Sequence, residues 1–360
     1  MRIKKALFLG TLCTAVSGMS LFAQAGVSYA KSAKETTEAS SEEATEVETE
    51  EETSEEVTYP ITIEHAFGET VIESKPERIA TVGWGNQDTP LALGIVPVGV
   101  SAANYGLVTD HKLHLWTDEA FADLGVEEPV VFDDVDGLDF EQISDCNPDV
   151  ILAAYSGMTQ EDYDTLSQIA PVIPYKENPW QTSWREQTIE NAEGMGMKPE
   201  GEKKVKEVED LIAEKLEEYP QLEGIPTAFC WISADDFSTF YVYLPTDPRA
   251  AYLLDLGLTL PESVQKLAGE TDDFNITVSR ENADQLDDIQ LMVVYGDEDL
   301  LKSLQEDKLM SQIPAIKNGA VALVDSTSAL AGASTPSILS IPYEIDEYLQ
   351  LLSDVAENIK

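Results

Sequence analysis

Residues 138–156 read LDFEQISDCNPDVILAAYS, and residues 278–296 read VSRENADQLDDIQLMVVYG. At one constant offset Glu141 falls on Glu281, Ile151-Leu152 on Leu291-Met292 and Tyr155 on Tyr295. Each copy reads as an acid, a short helix, then an apolar strand ending in Tyr. Two more segments recur in the same order. Leu93-Gly94-Ile95-Val96-Pro97 resembles Leu256-Gly257-Leu258-Thr259-Leu260-Pro261, and Gln168-Ile169-Ala170-Pro171 resembles Gln312-Ile313-Pro314. Two copies are too few for a solenoid, so the chain is read as two α/β lobes of like construction.

The elements around the repeat agree. Ile61-Thr62-Ile63 and Thr70-Val71-Ile72 flank a turn-prone Phe67-Gly68 and predict a hairpin. Arg78 to Val82 is an apolar run ending in Gly83-Trp84-Gly85-Asn86, followed by a short helix to Leu93-Gly94 and a second strand at Pro97 to Val100. Strands and helices alternate from there, which predicts parallel sheets covered by helices. Between the halves a polar helical pattern starts at Thr182-Ser183, where Ser183 and Glu186 can form a capping box. Gly194, Gly196 and Pro199 weaken or interrupt it, and it resumes through Val205, Val208, Leu211, Ile212 and Leu216 until Pro220 ends it. The expected plan is an amino-terminal lobe over 59–180, a connecting helix over 181–219 and a carboxy-terminal lobe over 220–360, with a cleft between Rossmann-like lobes.

The amino terminus has another character. Basic Met1 to Lys5, an apolar stretch from Ala6 to Ala23 and small residues at Ala23-Gln24-Ala25 and Ser28-Tyr29-Ala30 form the layout of a signal peptide over 1–30. An uncleaved anchor is the alternative. Gly10-Thr11-Leu12 before Cys13 fits a lipid-attachment signal poorly. Residues 31–58 hold 11 Glu, two Lys and many Ser and Thr, a composition too polar to order itself, and are read as an acidic linker. The chain carries 22 basic and 68 acidic residues, net −46; without the three bases before position 31 and this linker, 57 acids face 17 bases, net −40. Such a surface excludes nucleic acid as a partner. Cys146 and Cys230 fall in different lobes and are expected as buried free thiols.

With this organisation in view, the segment HAFGETVIESKPERIATVGWGNQDTPLALGIVPVGV (65–100) closely resembles the start of iron-siderophore substrate-binding proteins of ABC importers, the periplasmic-binding-protein type with a helical backbone between lobes. DGLDFEQISDCNPDVILAAYSGMTQEDYDTLSQIAPVIPY, PWQTSWREQT, VYLPTDPRAAYLLDLGLTLP and ENADQLDDIQLMVVYGD resemble the same family, so the likeness covers about 59–360. It implies an extracytoplasmic, monomeric receptor with no enzymatic activity and no resident cofactor, which hands a ferric siderophore to a membrane permease dimer. The resemblance also implies that an acid on each lobe, here Glu141 and Glu281, docks permease arginines. Relatives in the wider superfamily carry haem or cobalamin, which stay as alternatives beside a direct metal-ion receptor and an envelope enzyme.

Ligand contacts are expected from loops at the carboxyl ends of strands. Candidates are Trp84, Gly85, Asn86, Tyr105, Tyr155, Trp184, Trp231 and Tyr295, which supply flat apolar faces, polar edges and close backbone approach. Arginine is scarce: Arg2, Arg78, Arg185, Arg249 and Arg280 are all there are. Arg185 and Arg249 are the candidates for gripping ligand oxygens. So few bases favour a neutral or cationic chelate of hydroxamate type. His65, His111 and His114 have no metal-type partners at fixed spacing. No phosphate loop, G-x-S-x-G elbow or H-E-x-x-H is present, so no catalytic residue is assigned.

Overall fold

The computed structural model describes residues 57–134 and 137–360. The signal read over 1–30 and all but the end of the linker lie outside the described residues. An antiparallel hairpin of β1 (Ile61–His65) and β2 (Gly68–Ile72) opens the amino-terminal lobe. Its main sheet is built from β3 (Ile79–Thr81), β4 (Gly99–Ser101), β5 (Val131–Phe132), β6 (Val150–Ala153) and β7 (Val172–Pro174), in the order β5-β4-β3-β6-β7 and parallel throughout. Helices α1 (Asp88–Ala92), α2 (Leu115–Asp123), α3 (Phe140–Asp145) and α4 (Gln160–Leu166) make the crossovers. Both faces of this sheet are covered, so β6 is apolar at every position. Ile151 and Ala153 pack with Phe132, Ile143 and Leu166 on one side, while Val150 and Leu152 pack with Ile79, Ile173 and the hairpin on the other.

The connection between lobes is a helical hairpin. Helix α5 (Trp184–Gly194) starts with the expected capping box, in which Ser183 and Glu186 exchange hydrogen bonds. It stops at Gly194, with Gly196 at φ +67°, and α6 (Lys198–Leu216) begins with Pro199 in its first turn. The two helices then lie side by side, so close that a Cβ on Gly201 would sit 2.5 Å from Ala192 Cβ. Helix α5 rests on the amino-terminal sheet, and α6 buries Val205, Val208 and Ile212 in the core of the other lobe. The sequence expectation of one connecting helix is corrected to two.

In the carboxy-terminal lobe follow β8 (Thr227–Trp231), β9 (Thr239–Tyr243), α7 (Pro248–Asp255), α8 (Glu262–Ala268), β10 (Asn275–Ser279), β11 (Leu291–Tyr295), α9 (Glu298–Glu306), α10 (Pro314–Asn318), β12 (Val321–Val324), α11 (Ala329–Ala333) and α12 (Ser340–Ala356). The sheet order β10-β9-β8-β11-β12 repeats that of the first lobe, counted by position. One expectation of wholly parallel sheets fails here: β9 runs antiparallel to β8 and β10. The seven residues between β8 and β9 are too few for a crossover and make a hairpin instead.

The repeat itself is structural. Glu141 and Glu281 each stand in the first turn of a short helix, α3 and the 3-10 turn Arg280–Gln285, just before β6 and β11. Gly94 and Gly257 end α1 and α7 at φ +77° and +81°, and each is followed by an amide that reaches back five residues (Ile95 to Pro90, Leu258 to Leu253). That is the same left-handed cap twice. The third likeness does not carry over, because Pro171 adjoins strand β7 whereas Pro314 opens helix α10. Cys146 and Cys230 are free; Cys230 is buried, but Cys146 is half-buried, contrary to expectation. Among the described residues no helix is long and apolar enough to cross a membrane.

Candidate ligand cleft

The carboxyl ends of β3, β4 and β6 meet at the point where strand order reverses, the place where open α/β sheets bind ligands. Two adjoining cavities open there. The first, ≈ 570 Å³ of solvent-continuous space, lies between the amino-terminal loops carrying Trp84, Gly85, Tyr105 and Tyr155 and the carboxy-terminal segment Gly332, Thr335, Pro336 and Ser337. The second, ≈ 850 Å³, is lined by Trp84, Ser101, Asn104, Asp134, Ser156 and Trp180 among others. Trp84 and Trp180 meet edge to face at 5.6 Å, and Tyr155 meets Trp180 in the same way at 5.3 Å. Gly157 makes room for this stack: a Cβ there would lie 2.4 Å from the Trp180 indole nitrogen.

The loop that presents Trp84 is held by Asn86, whose side chain is fully buried. Asn86 Nδ2 donates to Val82 O and Tyr155 O, and its Oδ1 accepts from Tyr155 N, Gln187 Nε2 and Asn191 Nδ2. Asn86 was expected at the ligand; buried this way, it braces the wall behind it. Gln187, on α5, also donates to Trp84 O at 2.7 Å. Asp88 is buried beside it and accepts from Trp116 Nε1, Thr117 Oγ1 and Ser337 Oγ, the last reaching across from the other lobe. Burial pushes its carboxyl up to about 6 against those three bonds. His114 lines the first cavity, and burial lowers its imidazole to about 4, so it is neutral at pH 7.

Beyond the cavities, on the carboxy-terminal side of Tyr105, stand tyrosines and one arginine. Tyr295, at the end of β11, meets Tyr105 of the first lobe at 5.3 Å and Phe229 at 5.2 Å. Arg249 lies over the Tyr243 ring at 3.9 Å and is held in a fork by Asp247: Nε to Oδ1 at 2.8 Å and Nη2 to Oδ2 at 2.7 Å. Burial opposes its charge, but the bonds and charge of Asp247 outweigh burial and raise the guanidinium above its ordinary value. Tyr105 is pushed up to about 12, chiefly by burial, with the Arg249 charge opposing, and burial likewise raises Tyr155 and Tyr295. Arg249 thus lies against tyrosines of its own lobe, and its charge acts on Tyr105 and Tyr155 of the other. Trp231 and Tyr241 stack at 5.5 Å on the same face of the sheet as Phe229 and Tyr243, and both are exposed.

Trp184 and Arg185 do not reach the cleft. Trp184 is 2% exposed and donates to Asp255 Oδ2; Arg185 pairs with Glu209 and Asp255 and stacks on Trp184. Both brace α5 against α6 and α7, because the start of α5 faces those helices. Trp180, Tyr241, Tyr243 and Gln187 were not among the sequence candidates. The alternating Tyr241-Val242-Tyr243 of β9 carried a usable signal, one face of a strand made of tyrosine.

A model of the family described as periplasmic binding protein matches residues 79–327. The chain belongs to that family. It is 48% identical to PiaA of Streptococcus pneumoniae TIGR4, in a crystal structure with ferrichrome that superposes with a TM-score of 0.80 over 83% of this chain and 100% of that one. It is 24% identical to the petrobactin-binding protein YclQ of Bacillus subtilis, over 81% of this chain and 88% of the relative. Staphylococcus aureus SirA, complexed with staphyloferrin B, shares the fold at 22% identity and a TM-score of 0.63, over 83% of this chain and 99% of that one. The family and these neighbours are solute-binding proteins, and this chain shares their two-lobed α/β fold.

Proposed function

We propose that this protein is an extracytoplasmic receptor that binds a ferric siderophore of uncharged, hydroxamate type between its lobes and delivers it to an ABC importer. The observation that carries the reading is the cleft itself: Trp84, Tyr105, Trp116, Tyr155 and Trp180 of the amino-terminal lobe line open space that faces Gly332 and Thr335 to Ser337 of the other lobe, and among the described residues no Lys or Arg lines either cavity. Aromatic faces suit the bulky, largely apolar shell of a wrapped iron chelate. Asp88, Asp134 and Asp162 line the cavities, so an anionic ligand meets an unfavourable field. The similarity to PiaA, whose structure holds ferrichrome, points the same way.

The protein acts by binding and not by catalysis. The cleft carboxylates already have structural duties: Asp88 holds three donors and Asp162 closes the capping box of α4. Ligand-contacting residues are Trp84, Gly85, Tyr105, Tyr155 and Trp180 in the cavities, and the ligand reaches past them to Tyr243, Arg249 and Tyr295, which lie beyond Tyr105, with Trp231 and Tyr241 farther out on the same sheet face. Glu141 and Glu281 are exposed at matching places on the two lobes and engage a two-fold permease, steering more than anchoring. The receptor works as a monomer held at the cell envelope.

Tryptophan fluorescence tests the ligand assignment, because Trp84 and Trp180 lie in the cleft. Titration of the mature protein with ferrichrome is expected to quench emission with a sub-micromolar Kd. A response to haem alone, or to free iron alone, would overturn the assignment.

A further inference from the structure

Charge is the property that separates uncharged ferric chelates from anionic ones, and beside the lining carboxylates one buried ion pair next to the cleft bears on it. Among the described residues, Arg249 is the arginine next to the cleft, lining neither cavity but lying against Tyr243 and Tyr295 behind Tyr105: Arg78 binds the Cys146 and Asn147 carbonyls, Arg185 pairs with Glu209 and Asp255, and Arg280 pairs with Asp307. Asp247 is fully buried and spans Nε and Nη2 of that guanidinium in a two-bond fork. The Nη1 edge stays outside the fork, the Tyr243 ring covers one face, and the Tyr295 hydroxyl bonds the same group.

Asp247 also caps α7, its Oδ1 accepting from Arg249 N at 2.9 Å. Asn or Ser caps a helix about as well, so capping gives no reason for a carboxylate. A buried ion is destabilising unless it is paired, and here its one fixed partner is Arg249. The pair is a neutral unit that offers N–H donors without net positive charge.

We propose that Asp247 is a specificity-determining residue beside the lining carboxylates: by neutralising Arg249 it strengthens the preference for uncharged ferric chelates over anionic ones while touching neither. The proposal rests on the siderophore function above. Without that carboxylate, Arg249 presents a full charge in a poorly solvated cleft and grips anionic oxygens.

The test uses the mature chain, fluorescence quenching and two probes, ferrichrome and a synthetic anionic ferric tris-catecholate. Wild type is expected to bind ferrichrome at least about tenfold more tightly than the catecholate. Asp247→Asn keeps the cap and removes the charge; it should narrow that ratio by about tenfold, mostly through tighter catecholate binding that weakens with salt. Adding Arg249→Gln should restore the preference. Asp247→Ser, also uncharged and capping, must behave like the Asn variant, so misfolding of one substitution does not decide the matter. An unchanged ratio in either folded variant overturns the proposal and leaves ferrichrome binding standing. A wild type that binds the catecholate as tightly as ferrichrome overturns it as well. A wild type that binds neither chelate overturns the siderophore function, and this proposal with it.

Discussion

The two lobes share a strand order and a helix cap but build the walls proposed for the ligand by different means. In the amino-terminal lobe the wall is loop, and the loop is pinned: Asn86 ties Val82, Tyr155 and α5 together, and Asp88 ties α2 to Ser337 of the other lobe. In the carboxy-terminal lobe the wall is the sheet face, with Tyr241, Tyr243 and Tyr295 standing on strands and Arg249 on the first turn of α7. A strand fixes its side chains through the ladder, whereas a loop needs a buried polar brace. The difference explains why buried amides gather on one side of the cleft. A duplicated frame keeps equivalent outer tips, where Glu141 and Glu281 stand, while its inner walls diverge.

The largest effect tests the equivalence of those tips. Glu141→Ala together with Glu281→Ala is expected to abolish ferric-siderophore uptake by cells while the ligand Kd of the purified protein stays within about twofold, since exposed charges of this kind contribute little to folding. If the lobes are functionally matched, the two single variants lose uptake to a similar degree. Uptake at the wild-type rate in the double variant would end the docking proposal, and loss with only one single variant would break the symmetry between lobes.

Next in size is the brace of the loop-built wall. Asn86→Ala leaves Val82 O, Tyr155 N and O, and two amides of α5 short of a partner at a fully buried position. At about 1–3 kcal/mol for each buried group left unpaired, with relaxation, a loss on the order of 4 kcal/mol is expected by denaturant unfolding. The strand-built wall has no counterpart, so Tyr243→Phe should cost less than about 1 kcal/mol. Equal losses would show that the contrast between walls is not energetic.

What could be read before the structure divides along the same line. The repeat, the capping box at Ser183 and the strand-end tyrosines were legible because each is a local pattern, and local rules decide caps and strand alternation. Trp184 and Arg185 were misplaced because their partners, Glu209 and Asp255, lie 24 to 71 residues away, and nothing local says which way the start of α5 faces. Asn86 reads as a ligand contact because a Gly-rich turn after a strand suggests exposure; burial of its amide depends on α5 and β6 arriving from elsewhere. The reversed β9 was hidden because a hairpin and a crossover start with the same apolar strand.

Asp88 gives a pH test confined to one wall. Its carboxyl ordinarily titrates near 3.8 and is raised to about 6 in the folded protein. The folded state therefore binds the proton more tightly, so this group favours folding in acid, and its contribution falls as pH rises from about 4 to about 6. A shift of about two units corresponds to roughly 3 kcal/mol between those limits. Unfolding free energy of the wild type minus that of Asp88→Asn should fall by up to that amount from pH 4 to pH 6.5 and then level off. The comparison cancels Glu190 and Glu344, which burial raises to about 8 and 7. A flat difference would mean that Asp88 is not the group that titrates.

The smallest effect asks whether the lobes are one cooperative body. Gly94 and Gly257 hold the same left-handed cap in different lobes, and at neither would an added Cβ meet an atom within 4 Å. Substitution by Ala therefore costs backbone strain alone, about 1 kcal/mol in each case. In a single cooperative unit of this size that cost lowers Tm by about 2 °C whichever lobe carries it. The hairpin of α5 and α6, the Asp88–Ser337 bond and Leu339, which packs against cores of both lobes, are the couplings that would make the shifts equal. Scanning calorimetry of Gly94→Ala and Gly257→Ala should then show one transition, displaced alike. Two transitions, each moved by only one of the substitutions, would mean that the lobes melt separately.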